Sequence, residues 1–244
     1  MKTNVLAIAL MVANLLLMAC NNNPKTNSEP VESDNMKDVV TATPSDTIAD
    51  NDPASGIVAI RKAWTDTPIK VSANTSTPGI EQFALAFCKA YPQIETNKVL
   101  RDYLLSPTDY KNELYGVYSH PNDGFLRCLM LVETVHETMT CYWNRKNGHK
   151  LFAAFMEERN ESGKGDCLAV FYDYNPATDI MTPEPAQTDM IEQRMKKYDN
   201  YSLILPQEGK DITVYGYIID EEMDNADSKE LTLKWNGLTF EWDE

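Results

Sequence analysis

Four cysteines, three histidines and a dense set of carboxylates are the residues of the main body that could do chemistry. Cys88, Cys128, Cys141 and Cys167 all stand in apolar runs, where a thiol behaves as a small hydrophobe. Cys128 and Cys141 fall near opposite positions of two strands predicted to be neighbours, so they are the pair a disulfide would use. A bridge needs a Cα spacing that a sequence does not display, and buried free thiols are the other reading. No CxxC spacing occurs, which argues against thioredoxin-like redox chemistry. His120, His136 and His149 each sit in or beside a predicted turn, outside any HExxH pattern, and read as solvated turn residues. Asp220, Glu222 and Asp224 follow the first three ligand positions of an EF-hand loop. Asn225 then stands where that loop needs glycine, and Leu231 where it needs glutamate, so the three are weak metal candidates in a solvated acidic turn. Glu157 and Glu158 have the chemistry of paired-carboxylate glycoside hydrolysis, with no spacing that selects a partner. No GxSxG elbow, Walker loop or GxGxxG is present; the sequence names no catalytic residue and no cofactor.

The 244 residues carry a formal net charge of −15, and 43% of them are hydrophobic. That is enough apolar content for a packed core and the wrong sign for gripping a phosphate backbone, so nucleic acid is excluded as a partner. The amino-terminal stretch MKTNVLAIALMVANLLLMAC has a basic residue, an apolar run and a small-residue ending, the form of a secretory signal over 1–19. Its last four residues, Leu17-Met18-Ala19-Cys20, resemble the lipobox of bacterial lipoproteins. The resemblance implies lipidation of the Cys20 sulfur, cleavage before it and acylation of the new amino group. The partner so implied is the lipid bilayer, which two or more acyl chains hold stably. Residues 20–55 follow as an acylated cysteine and a disordered tether rich in Asn, Pro, Ser, Thr and Asp, spanning on the order of 30 Å as a flexible chain. Within it, Asp46-Thr47-Ile48 is similar to the O-glycosylation acceptor of the Bacteroidetes envelope, which marks Thr47. No acidic cluster follows Cys20, which favours the periplasmic face of the outer membrane over the cell surface.

The elements that must position any site come next. Residues 56–112 read as mainly helical. Phe83, Phe87 and Tyr91 recur at helical spacing before Pro92, and Thr96 is placed to cap a helix to Leu105. Residues 113–244 read as an antiparallel β part of the same folded body, with turn signals at Asn147-Gly148 and Asn236-Gly237. A helix is expected at about Asp189–Lys197. The fold class is α+β: short helices packed on one face of a curved antiparallel meander. A two-residue turn at Asn147-Gly148 sets Trp143 opposite Phe152 and Cys141 opposite Ala154. Tyr172, Tyr174, Tyr201, Tyr215, Tyr217, Trp235 and Trp242 fall on strands, either as core or as an exposed aromatic row.

The phrases YWNRKNGHK (142–150), FYDYNPAT (171–178), LPQEGKD (205–211) and LKWNG (233–237) together resemble cell-envelope lipoproteins of gut Bacteroidales, over about 140–240. That resemblance implies an envelope setting and brings no functional residues with it. The expectation is a non-enzymatic binding or scaffold module with an envelope protein or glycan partner. The alternative is an envelope hydrolase acting on glycan or peptide, whose site is assembled from loops near 120–124, 134–137 and 157–166.

Overall fold

The computed structural model describes residues 56–243, except 73, 74, 76, 109, 131–133, 160–164 and 221–224. Cys20 and Thr47 lie outside the described residues, as do Glu222 and Asp224; Asp220 is described by its backbone alone. The element order is α1 (Gly56–Ala63), a 3-10 turn (Trp64–Asp66), β1 (Ile69–Lys70), α2 (Ile80–Ala90), α3 (Glu95–Leu105), β2 (Tyr115–His120), β3 (Phe125–Met130), β4 (Val135–Asn144), β5 (Lys150–Arg159), β6 (Gly165–Asn175), β7 (Ile180–Pro183), α4 (Pro185–Met195), β8 (Asn200–Ile204), β9 (Ile212–Asp220), β10 (Asn225–Trp235) and β11 (Phe240–Trp242). The fold is α+β, and its strands form two antiparallel sheets. One has seven strands in the order β1-β7-β6-β5-β4-β3-β2, the other four in the order β11-β10-β9-β8.

Two cores lie back to back on the large sheet. Phe152, Ala154 and Met156 of β5 face the helices with Ile60, Phe83, Phe87 and Leu100. Leu151, Ala153 and Phe155 face the other way, against Ile191 of α4 and Leu203, Val214 and Leu233 of the second sheet. The central strands therefore read as unbroken apolar runs, LFAAFM and LAVFY, because both of their faces are dry. The helices do cover one face, as expected. The second sheet and α4 cover the other, which the single-meander picture lacked.

The β4–β5 register differs from the expected one by a residue: Trp143 pairs with Leu151, and Cys141 with Ala153. The turn is the cause. Gly148 N–H donates to Arg145 O (3.1 Å), Arg145 N–H to His149 O (3.0 Å), and Gly148 has φ +86°. The loop is thus three residues with a glycine bulge. One residue of slip changes faces, so Trp143 joins the second core while Tyr142 faces Phe152 in the first.

The expected Cys128–Cys141 bridge does not form. Cys128 points into the helix-side core and Cys141 into the opposite one, so the sheet itself separates them. Both are buried free thiols, as are Cys88 and Cys167. Thr96 is likewise not a cap. Ile94 precedes the first turn of α3, and Thr96 lies inside the helix and faces the sheet. Its hydroxyl meets Thr138 Oγ1 at 2.7 Å, Thr138 donates to Asn97 Oδ1 at 3.0 Å, and Asn97 Nδ2 donates to Tyr91 O at 3.0 Å. Thr138 has one proton to give, so Thr96 must be the donor to it. Thr138→Val keeps the shape and strands two buried partners. It is expected to cost about 1–3 kcal/mol, read as the loss in urea-unfolding free energy of the full chain.

Helix α4 starts at Pro185, four residues before the expected start, with proline at its first turn. Its early residues hide from a hydrophobic pattern because they are polar and still buried. Thr188 Oγ1 donates to Ala169 O (2.8 Å), and Gln187 Oε1 accepts from Phe240 N–H (3.1 Å). Strands β1 and β7 escaped the sequence reading because two and four residues are too few to show a period.

Candidate functional site

The strands β4, β5 and β6 bring titratable residues together at the end of the large sheet away from the Asn147-Gly148 turn. His136, Glu158 and Asp166 are consecutive cross-strand partners, and so are Glu137, Glu157 and Cys167 one residue along. Alternation sends the first row to the helix side and the second toward the small sheet. Gly165 opens β6 where Glu158 O would lie 1.9 Å from any added Cβ, so only glycine lets β6 approach here.

Glu137 and Glu157 are 6% and 5% exposed. Arg127 of β3 pairs with Glu137, and Arg159 pairs with Glu157. Burial pushes the Glu157 carboxyl up to about 7; Arg159 opposes that shift and the facing Glu137 adds to it. Burial also raises Glu137, against the Arg127 charge. Glu158 is raised by burial, eased by His136 and reinforced by Asp166. Cys167 is pushed up to about 12 by burial and stays a neutral thiol near pH 7, a poor nucleophile. It donates to Tyr201 O of β8 (3.3 Å), as does Arg159 Nη2 (3.0 Å). Arg61 of α1 caps the neighbouring strand edge, donating to Cys167 O (2.6 Å) and pairing with Glu192 of α4. These side chains satisfy backbone carbonyls at strand edges, where unpaired groups would otherwise be left.

A second charged cluster sits at the other end of the sheet. Arg145 is 8% exposed and holds Asp173 (2.5 Å) and Glu184 (2.7 Å). His149 Nδ1 lies 2.7 Å from Asp173 Oδ2. The histidines therefore divide: His120 is an exposed strand-end residue, whereas His136 faces Glu158 and His149 is tied to Asp173. The fully solvated reading holds for the first and is corrected for the other two. Sequence reasoning missed Arg145, Arg159 and Asp173 because nothing in their spacing shows that a sheet brings them beside carboxylates.

Most of the aromatic row is core. Tyr172 and Tyr174 lie among the helix-side residues, and Tyr201, Trp235 and Trp242 pack on the second core. Tyr215 and Tyr217 are half-buried on β9, with the Tyr217 hydroxyl 3.2 Å from Ser202 Oγ. Beside them lies an open depression of about 470 Å³, lined by Lys197, Tyr198, Ile218, Ser228 and Lys229. The Tyr198 ring packs over Gly216, Lys197 Nζ stands 5.1 Å from that ring, and Ile218 is 50% exposed. Among the described residues no group of three or more His, Cys, Asp or Glu is placed to hold a metal ion, and no helix is long and apolar enough to cross a membrane.

No family model matches the chain, and no curated protein does. A solved domain of an uncharacterized protein from Porphyromonas gingivalis W83 is similar at a TM-score of 0.44 and 12% identity, over 68% of this chain and 99% of that one. A likeness at that level says nothing of what this chain binds.

Proposed function

We propose that the chain is a membrane-anchored bacterial lipoprotein, akin to cell-envelope lipoproteins of Bacteroidales, whose folded part is a non-enzymatic binding or scaffold module. Acylated Cys20 holds it to the outer membrane on the periplasmic face, and the partner is an envelope protein or glycan. The observation that carries the binding reading is the depression between β9, β10 and the turn after α4. It sets two exposed lysines around a tyrosine ring and an exposed isoleucine on a chain of net charge −15. Such a surface suits a partner that offers an acidic group beside an apolar or ring face. The buried and half-buried carboxylates support the same reading, because arginines beside them engage their charges, and one of these, Arg159, also holds the edge carbonyl of Tyr201. Glu137 pairs with Arg127, Glu157 with Arg159, and Asp173 and Glu184 with Arg145.

The anchor is tested by Cys20→Ala. The wild-type chain is expected to partition into the detergent phase, and the variant to move almost wholly to the aqueous phase. Equal partitioning of the two would remove the anchor.

One observation favours the hydrolase reading: the His136, Glu158 and Asp166 row, a half-buried histidine with two carboxylates. Glycan or peptide turnover by the full chain that is lost in Glu158→Gln would establish that reading and overturn the binding one.

A further inference from the structure

We propose that the Glu157–Arg159 pair is a proton-sensitive latch between the two sheets, closed while the facing Glu137 and Glu157 carboxylates hold one proton between them and loosened when both are ionised. Glu137 and Glu157 are direct cross-strand partners, so their side chains start about 4.5–5.5 Å apart at Cβ. Both are almost fully buried, whereas the Arg127 and Arg159 side chains are 25% and 17% exposed. The cations are thus partly screened by water while the anions are dry. Arg159 Nη2 meets Glu157 Oε1 as an ion pair without the alignment of a hydrogen bond, and among the described residues Arg159 Nε is buried without a partner. A proton on one carboxyl removes the repulsion between two facing dry anions and supplies a hydrogen-bond donor, which the doubly ionised pair lacks.

The latch reaches the second sheet through one side chain. Arg159 donates from Nη2 to Tyr201 O on β8, and its guanidinium lies 5.5 Å from the Tyr217 ring of β9. Movement of Glu157 toward water draws Arg159 from that carbonyl. Among the described residues the other titratable or charged groups around the pair are Cys167 of β6, opposite Glu157, Tyr201 of β8, Cys128 of β3, which feels the Glu137 charge, and Arg61 of α1, which bonds to Cys167 O. The three neutral groups stay protonated below pH 9, since burial raises them all.

The closed seam binds the Glu157 proton more tightly than an open one, in which the group returns toward 4.5 from about 7. Closure is therefore strongest near pH 5, weakens as pH rises to about 7, and levels off above. The test is hydrogen exchange of the β8 amides in the full chain, corrected for intrinsic rates and referenced to β6. Protection of β8 in the wild type is expected to fall about tenfold or more between pH 5 and pH 8. Glu157→Gln should be flat across that range, and Glu137→Gln should shift the change to lower pH by removing the facing charge. Equal pH dependence in the wild type and Glu157→Gln overturns the proposal. Should Glu157→Gln fail to fold, a ¹³C-labelled wild-type Glu157 carboxyl that titrates in the ordinary glutamate range overturns it instead.

Discussion

Arg145→Ala is expected to destabilise the protein by about 3 kcal/mol or more, because it leaves carboxylates without their cation. The guanidinium forks between Asp173 on β6 and Glu184 before α4, and it springs from the β4–β5 turn. One side chain thus ties the turn to β6 and to the entry of α4. Asp173 and Glu184 keep about a quarter of their surface in water, which places the cost toward the lower end for a buried pair. Arg145→Lys should recover only part of the loss, since an ammonium cannot form the two-pronged contact. Urea unfolding of the full chain reads both; an Arg145→Ala loss below about 1 kcal/mol would show that the cluster is solvated in practice.

Phe152→Ala carries the second large effect, about 3–5 kcal/mol. Phe152 is fully buried on the helix side of β5, with ring centroids 6.1 Å from Phe83, 5.7 Å from Phe87 and 6.5 Å from Tyr172. Those rings come from α2 and β6, which cannot close over the gap without moving backbone. Phe155→Ala removes an equally buried ring on the opposite face, among residues of the second core. If the two cores are built as described, each variant should be destabilised by a similar amount. A Phe152→Ala cost near that of a surface change would contradict the helix-side packing.

The strands were legible because their apolar runs are long and their turns carry Asn-Gly or proline. The helix carrying Phe83 and Phe87 was legible from its own spacing. What the sequence hid was pairing. The Asn147-Gly148 turn could be seen, but not that Gly148 sits in a three-residue loop, and that one residue decides which face Trp143 and Cys141 occupy. The unbroken runs around Phe152 and Phe171 belong to strands buried on both faces, and the expected single meander left that pattern unread. Of the candidate site, the carboxylates Glu157 and Glu158 were visible as residues. The hydrolase alternative placed 134–137 near 157–166, but not the direct pairing of Glu137 with Glu157 and His136 with Glu158, since a contact between residues 20 and 22 positions apart depends on register. Thr96 looked like a cap because its type and its place before the expected helix fit one; its buried contact with Thr138 is a tertiary fact.

The central claim is that this chain is a lipid-anchored module that holds an envelope partner. Crosslinking the native protein in intact cells, with neighbours identified by mass spectrometry, tests it most directly. Cys20→Ala serves as the unanchored control and a Lys197→Glu, Lys229→Glu double variant as the surface control. The account predicts one dominant partner that is lost in the first control and sharply reduced in the second. A diffuse set of neighbours, unchanged by either variant, would contradict it.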